Sequence, residues 1–278
     1  MHSYNAGKVA YHKFCTRFHM QPLPATEDQL ILFVADLAQT RAYGIIKVYL
    51  SGVQRLHIVN NYGNPLGNKL KLDLTLRGIR RDKPRPPNPR LPITPWILKK
   101  AHAVLANENS YANTMTWAAM CEGFFGFLRS GEFTASSKNS YDPSKHLSLS
   151  DISTDSHIAP TLLRLHPRYS KTDQFGEGVT IILARNGSVI CPVTALVNYL
   201  SIRGPLEGAL FVNQDGSPFT KHQLTSSLEN TLQAAGIDPS YYKGHSFRIG
   251  AATTAAAHGI PDSTIKMLGR WSSNAFLV

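Results

Sequence analysis

GHSFRIGAATTAAAHGIPDSTIKMLGRW, residues 244–271, is the stretch around which the rest of the chain is organised. His245 and Arg248 stand three residues apart at the head of an Ala-rich run, so a helix projects both side chains from one face, one turn apart. Gly259 closes that helix, and Pro261 with Asp262 opens another, whose Ile265 and Leu268 are expected to face inward before Gly269 stops it. Arg270 and Trp271 follow the stop directly. The pattern predicts a helical hairpin that sets an imidazole and a guanidinium at a helix N-terminus and returns an indole N–H beside them. All three groups are hydrogen-bond donors that a phosphate can use.

The 278 residues are 42% hydrophobic and 17% charged, a composition able to build two cores. No apolar run approaches the length of a membrane helix, and no signal-peptide pattern opens the chain. A nuclear location in a eukaryote, or otherwise a cytoplasmic one, is the expectation. Cys15, Cys121 and Cys191 are far apart, which predicts neither a disulfide framework nor a zinc site. The net charge is +11, and its distribution matters more than its size: fourteen Lys/Arg stand against five Asp/Glu before Ile93, fifteen against thirteen after it. A basic first third reads as a polyanion-binding surface or as a device for solubility.

The first eighty residues predict a helical domain. Ala6, Ala10, Phe14 and Phe18 form an apolar stripe on a helix over residues 3–20. Thr26 to Gln29 is a capping-box pattern that opens a second helix, and residues 45–59 make a third around Tyr49, Leu50, Val53 and Leu56. Leu70, Leu72, Leu74 and Leu76 alternate as a strand does, but Leu70 with Leu74 also suits a helix, which is the reading adopted. A boundary follows at RRDKPRPPNPRLP, residues 80–92. Its prolines forbid regular helix, while Arg80, Arg81, Lys83, Arg85 and Arg90 keep it extended and positive, as a solvated hinge or a phosphate-contacting linker. The expected division is 1–80, a linker at 81–92, and a second domain from 93 to 278.

In that second domain Thr94-Pro95 caps one helix, and a broadly apolar core helix spans about 112–128. Arg129 follows it within FLRSGEF, where a guanidinium must find an anion, whether a ligand or simply Glu132. Residues 147–152, 161–166 and 179–183 read as strands, the last two joined as a hairpin through Gly176-Glu177-Gly178. Lys171, in SKTD, lies in that hairpin, where a lysine is ordinarily just solvated. Helices are expected over 192–199 and about 220–235. The fold class is mainly α with a small antiparallel sheet (α+β).

Taken in order, R-x-G-E at Arg129, SKT at Lys171, HSFR at 245–248 and LGRW at 268–271 resemble the tyrosine recombinase (phage integrase) family of DNA breaking and rejoining enzymes. The resemblance spans the whole chain and implies an N-terminal core-binding domain and a C-terminal catalytic domain that clamp double-stranded DNA across a basic linker. It implies that Arg129, Lys171, His245, Arg248 and Trp271 are catalytic, that Glu132 supports Arg129, and that Arg80, Arg81, Lys83, Arg85 and Arg90 contact DNA. Two guanidiniums, His245 and the Trp271 N–H would stabilise charge on the non-bridging phosphate oxygens. Lys171, with Arg168 and Lys138 as rivals, would protonate the departing 5′-oxygen, and a tyrosine would hold the 3′-phosphate. No cofactor or metal is called for, since the sequence has neither a P-loop nor an acidic metal cluster. Family members act as tetramers on paired sites, which implies a homo-multimer.

The family's tyrosine lies about two helical turns beyond the His or Trp position. Residues 272–278 contain no tyrosine, so the expectation is a chain that binds DNA and forms no phosphotyrosine adduct by itself. A recombinase-derived protein that binds DNA without cleaving it is the alternative reading. A type IB topoisomerase is a further option, disfavoured by the compact first domain and short linker.

Overall fold

The computed structural model describes residues 2–82, 90–169 and 178–273, with the side chains from residue 5 onward. The chain divides into two compact units, Met1–Pro87 and Asn88–Val278.

The first unit is a four-helix cluster: α1 (His2–Arg17), α2 (Glu27–Thr40), α3 (Tyr43–Val59) and α4 (Leu70–Asp82). Thr26 caps α2 as its sequence predicts, its hydroxyl accepting from the Gln29 N–H. The buried face of α1 is not the expected stripe. Tyr11, Phe14 and Cys15 are inside, whereas Ala6 and Phe18 are exposed. Gly7 causes the rotation, because a Cβ there would lie 2.6 Å from the Tyr49 carbonyl oxygen, and only glycine lets α1 press onto the α3 backbone at that point. Tyr11 and Phe14 then pack against Phe33 at ring separations of 5.1 and 5.3 Å. Buried His57 accepts the Ala25 N–H at Nε2 (2.9 Å) and faces the Val53 carbonyl through Nδ1 (2.8 Å), which fixes Nδ1 as the protonated nitrogen. Residues 70–76 are helical despite their alternation. Leu72 is buried in the core, its N–H meeting Glu27 Oε1 at 3.1 Å, and Leu76 packs partly buried against it, while Leu70 is 72% exposed.

The second unit is built around α6 (Tyr111–Phe125), which is apolar all round because α5 (Pro95–Leu105), α8 (Pro192–Arg203) and α10 (His245–Ala257) pack against it. A three-stranded antiparallel sheet, β1 (Ile152–Thr154), β2 (Leu162–Leu165) and β3 (Ile181–Ala184), has order β1-β2-β3, with Thr154 opposite Leu163 and Leu163 opposite Leu183. Three of the bounds differ most from expectation. The first strand starts only at Ile152, because Asp151 accepts the Ser148 N–H and winds 149–151 into a 3-10 turn. α6 stops at Phe125, since Phe127 takes a left-handed backbone (φ 49°). α8 runs on to Arg203. The chain is mainly α with a small antiparallel sheet. Among the described residues no helix is long and apolar enough to cross a membrane.

Glu122 sits on α6 with no exposure, and neither carboxyl oxygen has a hydrogen-bond partner. Burial, and then nearby Cys191, push its pKa well above the usual carboxylate range. A carboxyl whose folded pKa is raised contributes stability that is complete below its unfolded pKa and is lost as pH rises through the folded one. Glu122→Met is therefore expected to stabilise this unit by about 1–3 kcal/mol near neutral pH. Its advantage in denaturant unfolding should be larger at pH 8 than at pH 5; an equal or smaller advantage at pH 8 contradicts the assignment.

Candidate functional site

Four segments distant in sequence meet where α6 ends. The first is the turn after α6: Gly126 caps the helix, left-handed Phe127 aims its carbonyl sideways, and Arg129 becomes the N-cap of the short helix α7 (Ser130–Phe133). Glu132 closes the turn as a capping box. Its Oε2 accepts the Arg129 N–H (3.0 Å) and its Oε1 accepts one N–H of the Arg129 guanidinium (3.1 Å). The two readings of Arg129 thus coexist, because the pair with Glu132 forms and the Arg129 side chain still remains 23% exposed.

The second segment is the head of α10. Gly244 approaches so closely that a Cβ there would lie 2.8 Å from Ser130 Cβ, which brings His245 beside the Arg129 turn. His245 reaches the surface, while Arg248, one turn on, is only 1% exposed. Arg248 donates Nη1 to the Phe127 carbonyl (2.6 Å) and Nη2 to the Gly269 carbonyl, and its Nε is buried without a hydrogen-bond partner.

The third segment is the end of α11 (Asp262–Leu268). Ile265 is buried as expected, but Leu268 is exposed. The turn that follows consumes the last helical position and points Leu268 outward. Gly269 caps α11 with a right-handed backbone (φ −79°), and the left-handed residue is Arg270 (φ 54°). Gly269 is required for a different reason than a helix stop: a Cβ there would fall inside the Trp271 ring. That ring lies over the Arg248 guanidinium at 4.1 Å and edge-on to Phe127 at 6.2 Å. Arg270 turns inward, donating Nη2 to Glu132 Oε2 (2.9 Å) and to the Phe127 carbonyl (3.1 Å).

The fourth segment is the head of α9 (Lys221–Ala234). The Ala135 N–H donates to the Phe219 carbonyl (3.0 Å) and the Lys221 N–H to the Ala135 carbonyl (2.8 Å), which ties this helix start to the end of α7.

Among the described residues, three guanidiniums thus lie around one carboxylate, that of Glu132. Burial, and then Arg129 and Arg270, lower the Arg248 pKa to about 9, with Glu132 opposing. Arg248 stays charged at neutral pH. Desolvation, followed by the charges of Arg248, Arg129 and Lys221, lowers that of His245, which favours a neutral imidazole.

The structure brings Arg129, Glu132, His245, Arg248 and Trp271 together. Lys171, like Lys83 and Arg85, lies outside the described residues. Of its rivals, Arg168 pairs with buried Asp151 (2.6 Å) and Lys138 with Asp215 (3.1 Å). Arg80 and Arg81 are exposed at the end of α4, and Arg90 donates to the Ser240 carbonyl (3.0 Å). Arg270 is the residue that sequence reasoning passed over. Its signal was its place between a helix-ending glycine and a tryptophan that needs that glycine bare.

Residues 147–277 match the phage integrase family model. The chain carries a phage integrase family domain over those residues. The chain is 26% identical, over 94% of its own length and 74% of the relative's, to an integrase/recombinase XerD homolog of Selenomonas ruminantium. Its fold is similar to that of the XerH site-specific recombinase bound to palindromic difH substrate in a post-cleavage complex (TM-score 0.66, 15% identity, 98% of this chain and 73% of that one). It is also similar to the Tn1549 transposon integrase in complex with a circular intermediate DNA (TM-score 0.59, 13%, 90% and 79%), and to a lambda integrase dimer bound to a core site (TM-score 0.55, 14%, 96% and 69%).

Proposed function

We propose that this chain carries out site-specific recombination of double-stranded DNA, with the scissile phosphate bound at the cluster of Arg129, His245 and Arg248. The observation that carries the reading is the convergence of Arg129, its side chain 23% exposed, with His245 and with a buried Arg248 whose Nε has no hydrogen-bond partner. A phosphodiester supplies both the charge and the acceptors. Arg129 and His245, at the surface, meet the non-bridging oxygens, and Arg248 supports them from beneath. Trp271 stacks on Arg248 and keeps water from that face. Lys171 is the proton donor to the departing 5′-oxygen, and a tyrosine would carry the 3′-phosphate. The exposed Arg80 and Arg81, with Lys83, Arg85 and Arg90, contact the DNA backbone. The first unit is the core-binding domain, and the protein works as a multimer on paired sites, in the nucleus of a eukaryote or otherwise the cytoplasm. Support for DNA as partner comes from the DNA-bound recombinases that share the fold.

Binding of a DNA duplex as a function of salt tests this reading. The affinity is expected to fall linearly, log against log, with a slope of about −0.9 per phosphate neutralised. Arg129→Ala should make that slope shallower by about 1. A chain without affinity for duplex at low salt, or one whose slope Arg129→Ala leaves unchanged, contradicts it.

A further inference from the structure

Glu132 has two oxygens, and their allocation differs. Oε1 receives one N–H from the Arg129 guanidinium, whereas Oε2 receives the Arg129 backbone N–H and Arg270 Nη2. A carboxylate beside an arginine ordinarily takes a two-pronged grip. Here the second prong is already taken. Arg129 is therefore held by a single N–H and keeps the rest of its fork turned toward the partly exposed side of the turn. The same Arg270 nitrogen also shares the Phe127 carbonyl with Arg248 Nη1. Arg270 reaches both acceptors because its left-handed backbone folds the side chain back under the turn, where it is 9% exposed.

We propose that Arg270 is a positioning residue for the phosphate site: by occupying Glu132 Oε2 it prevents that carboxylate from chelating Arg129 and leaves the Arg129 fork and charge available to a DNA phosphate. Charge supports the same assignment. Glu132 cancels one positive charge, and with Arg270 present the neutralised one is shared, so Arg129 meets the ligand as a cation. Without Arg270, Glu132 faces Arg129 alone and turns it into an internal ion pair. Phe127 loses one of its two donors as well, so the Arg248 contact becomes the carbonyl's remaining one. The inference rests on the phosphate-site reading and adds to it a residue whose side chain does not touch DNA.

The test is a double-mutant cycle on the affinity of the full 278-residue chain for a random-sequence DNA duplex, measured at several salt concentrations. Arg129→Ala is expected to weaken binding about tenfold, Arg270→Ala by a similar factor, and the double variant by no more than either alone, because Arg270 acts through Arg129. Both single variants should make the salt slope shallower by about 1. Methylguanidinium should restore affinity to Arg270→Ala where the same concentration of potassium chloride does not, a readout that a general loss of stability would not give. If Arg270→Ala fails to fold, as its thermal transition would reveal, Arg270→Lys takes its place in the cycle. Lysine keeps the charge but lacks the fork, so a smaller loss is expected, again absent in the Arg129→Ala background. Losses that multiply in the double variant, or an Arg270 variant that folds and binds as the parent does, overturn the proposal while leaving the DNA-binding reading intact. A parent chain that binds no duplex overturns that reading itself, and the role of Arg270 with it.

Discussion

Gly250→Ala is expected to destabilise the second unit by about 3 kcal/mol, the upper part of the range for overpacking a well-filled interior. A Cβ at this position of α10 would fall on the Ile93 carbonyl oxygen and lie 2.7 Å from the Ile93 carbonyl carbon and 2.9 Å from its nitrogen. These atoms are backbone, so no side-chain rotation relieves the clash. The segment cannot move away cheaply either: the Ile93 N–H donates to the Ser246 carbonyl (3.0 Å), the Leu91 N–H donates to the Tyr241 carbonyl (3.1 Å), and the Ile93 side chain is fully buried. The contact fixes α10, and with it His245 and Arg248. Denaturant unfolding should report a lower midpoint with an unchanged slope, and whatever folded protein remains should bind duplex DNA less tightly. An unchanged midpoint would mean that the helix and residues 91–93 are not held together as described.

Arg248→Lys is expected to lower the rate of strand exchange between paired duplex sites by about two to three orders of magnitude. Lysine preserves the charge but cannot span three directions. Arg248 uses Nη1 on Phe127 and Nη2 on Gly269 and keeps Nε buried without a hydrogen-bond partner, while its planar face carries Trp271. A single ammonium cannot reach both carbonyls at once, so either Gly269 loses its donor or Phe127 keeps only Arg270. The indole then loses the flat cation beneath it. Duplex affinity should fall far less than the rate. A variant whose affinity and exchange rate fall by the same modest factor would reduce the cluster to a device for binding alone.

The helices of the second unit were legible because their signals are local: Thr94-Pro95 and the apolar run of α6 need no tertiary information. The helical hairpin after Gly244 was legible for the same reason, since Gly259, Pro261 and Gly269 punctuate it. Three things depend on packing between distant residues and left little local trace. The face that α1 buries is set by Gly7 against the Tyr49 backbone, not by its own apolar spacing. Gly269 is the helix stop it looked like, but it also leaves room for the ring of Trp271, two residues on, which no local signal shows. The inward turn of Arg270 depends on a left-handed arginine and on Glu132, which lies 138 residues away. The leucines at 70–76 alternate as in a strand yet read correctly as helix: Leu72 is buried, Leu76 packs partly buried against the same core, and Leu70 and Leu74 stay exposed.

The central claim is that the cluster around Glu132 is a phosphate site in a DNA recombinase, and a structure of the protein on duplex DNA tests it most directly. The account predicts a backbone phosphate about 3 Å from Arg129 and His245 nitrogens, with Arg248 Nε turned toward it, Trp271 still stacked on Arg248, and Arg270 still on Glu132. A complex in which the DNA phosphates bypass this cluster, leaving Arg129 and His245 without a phosphate contact, would contradict it.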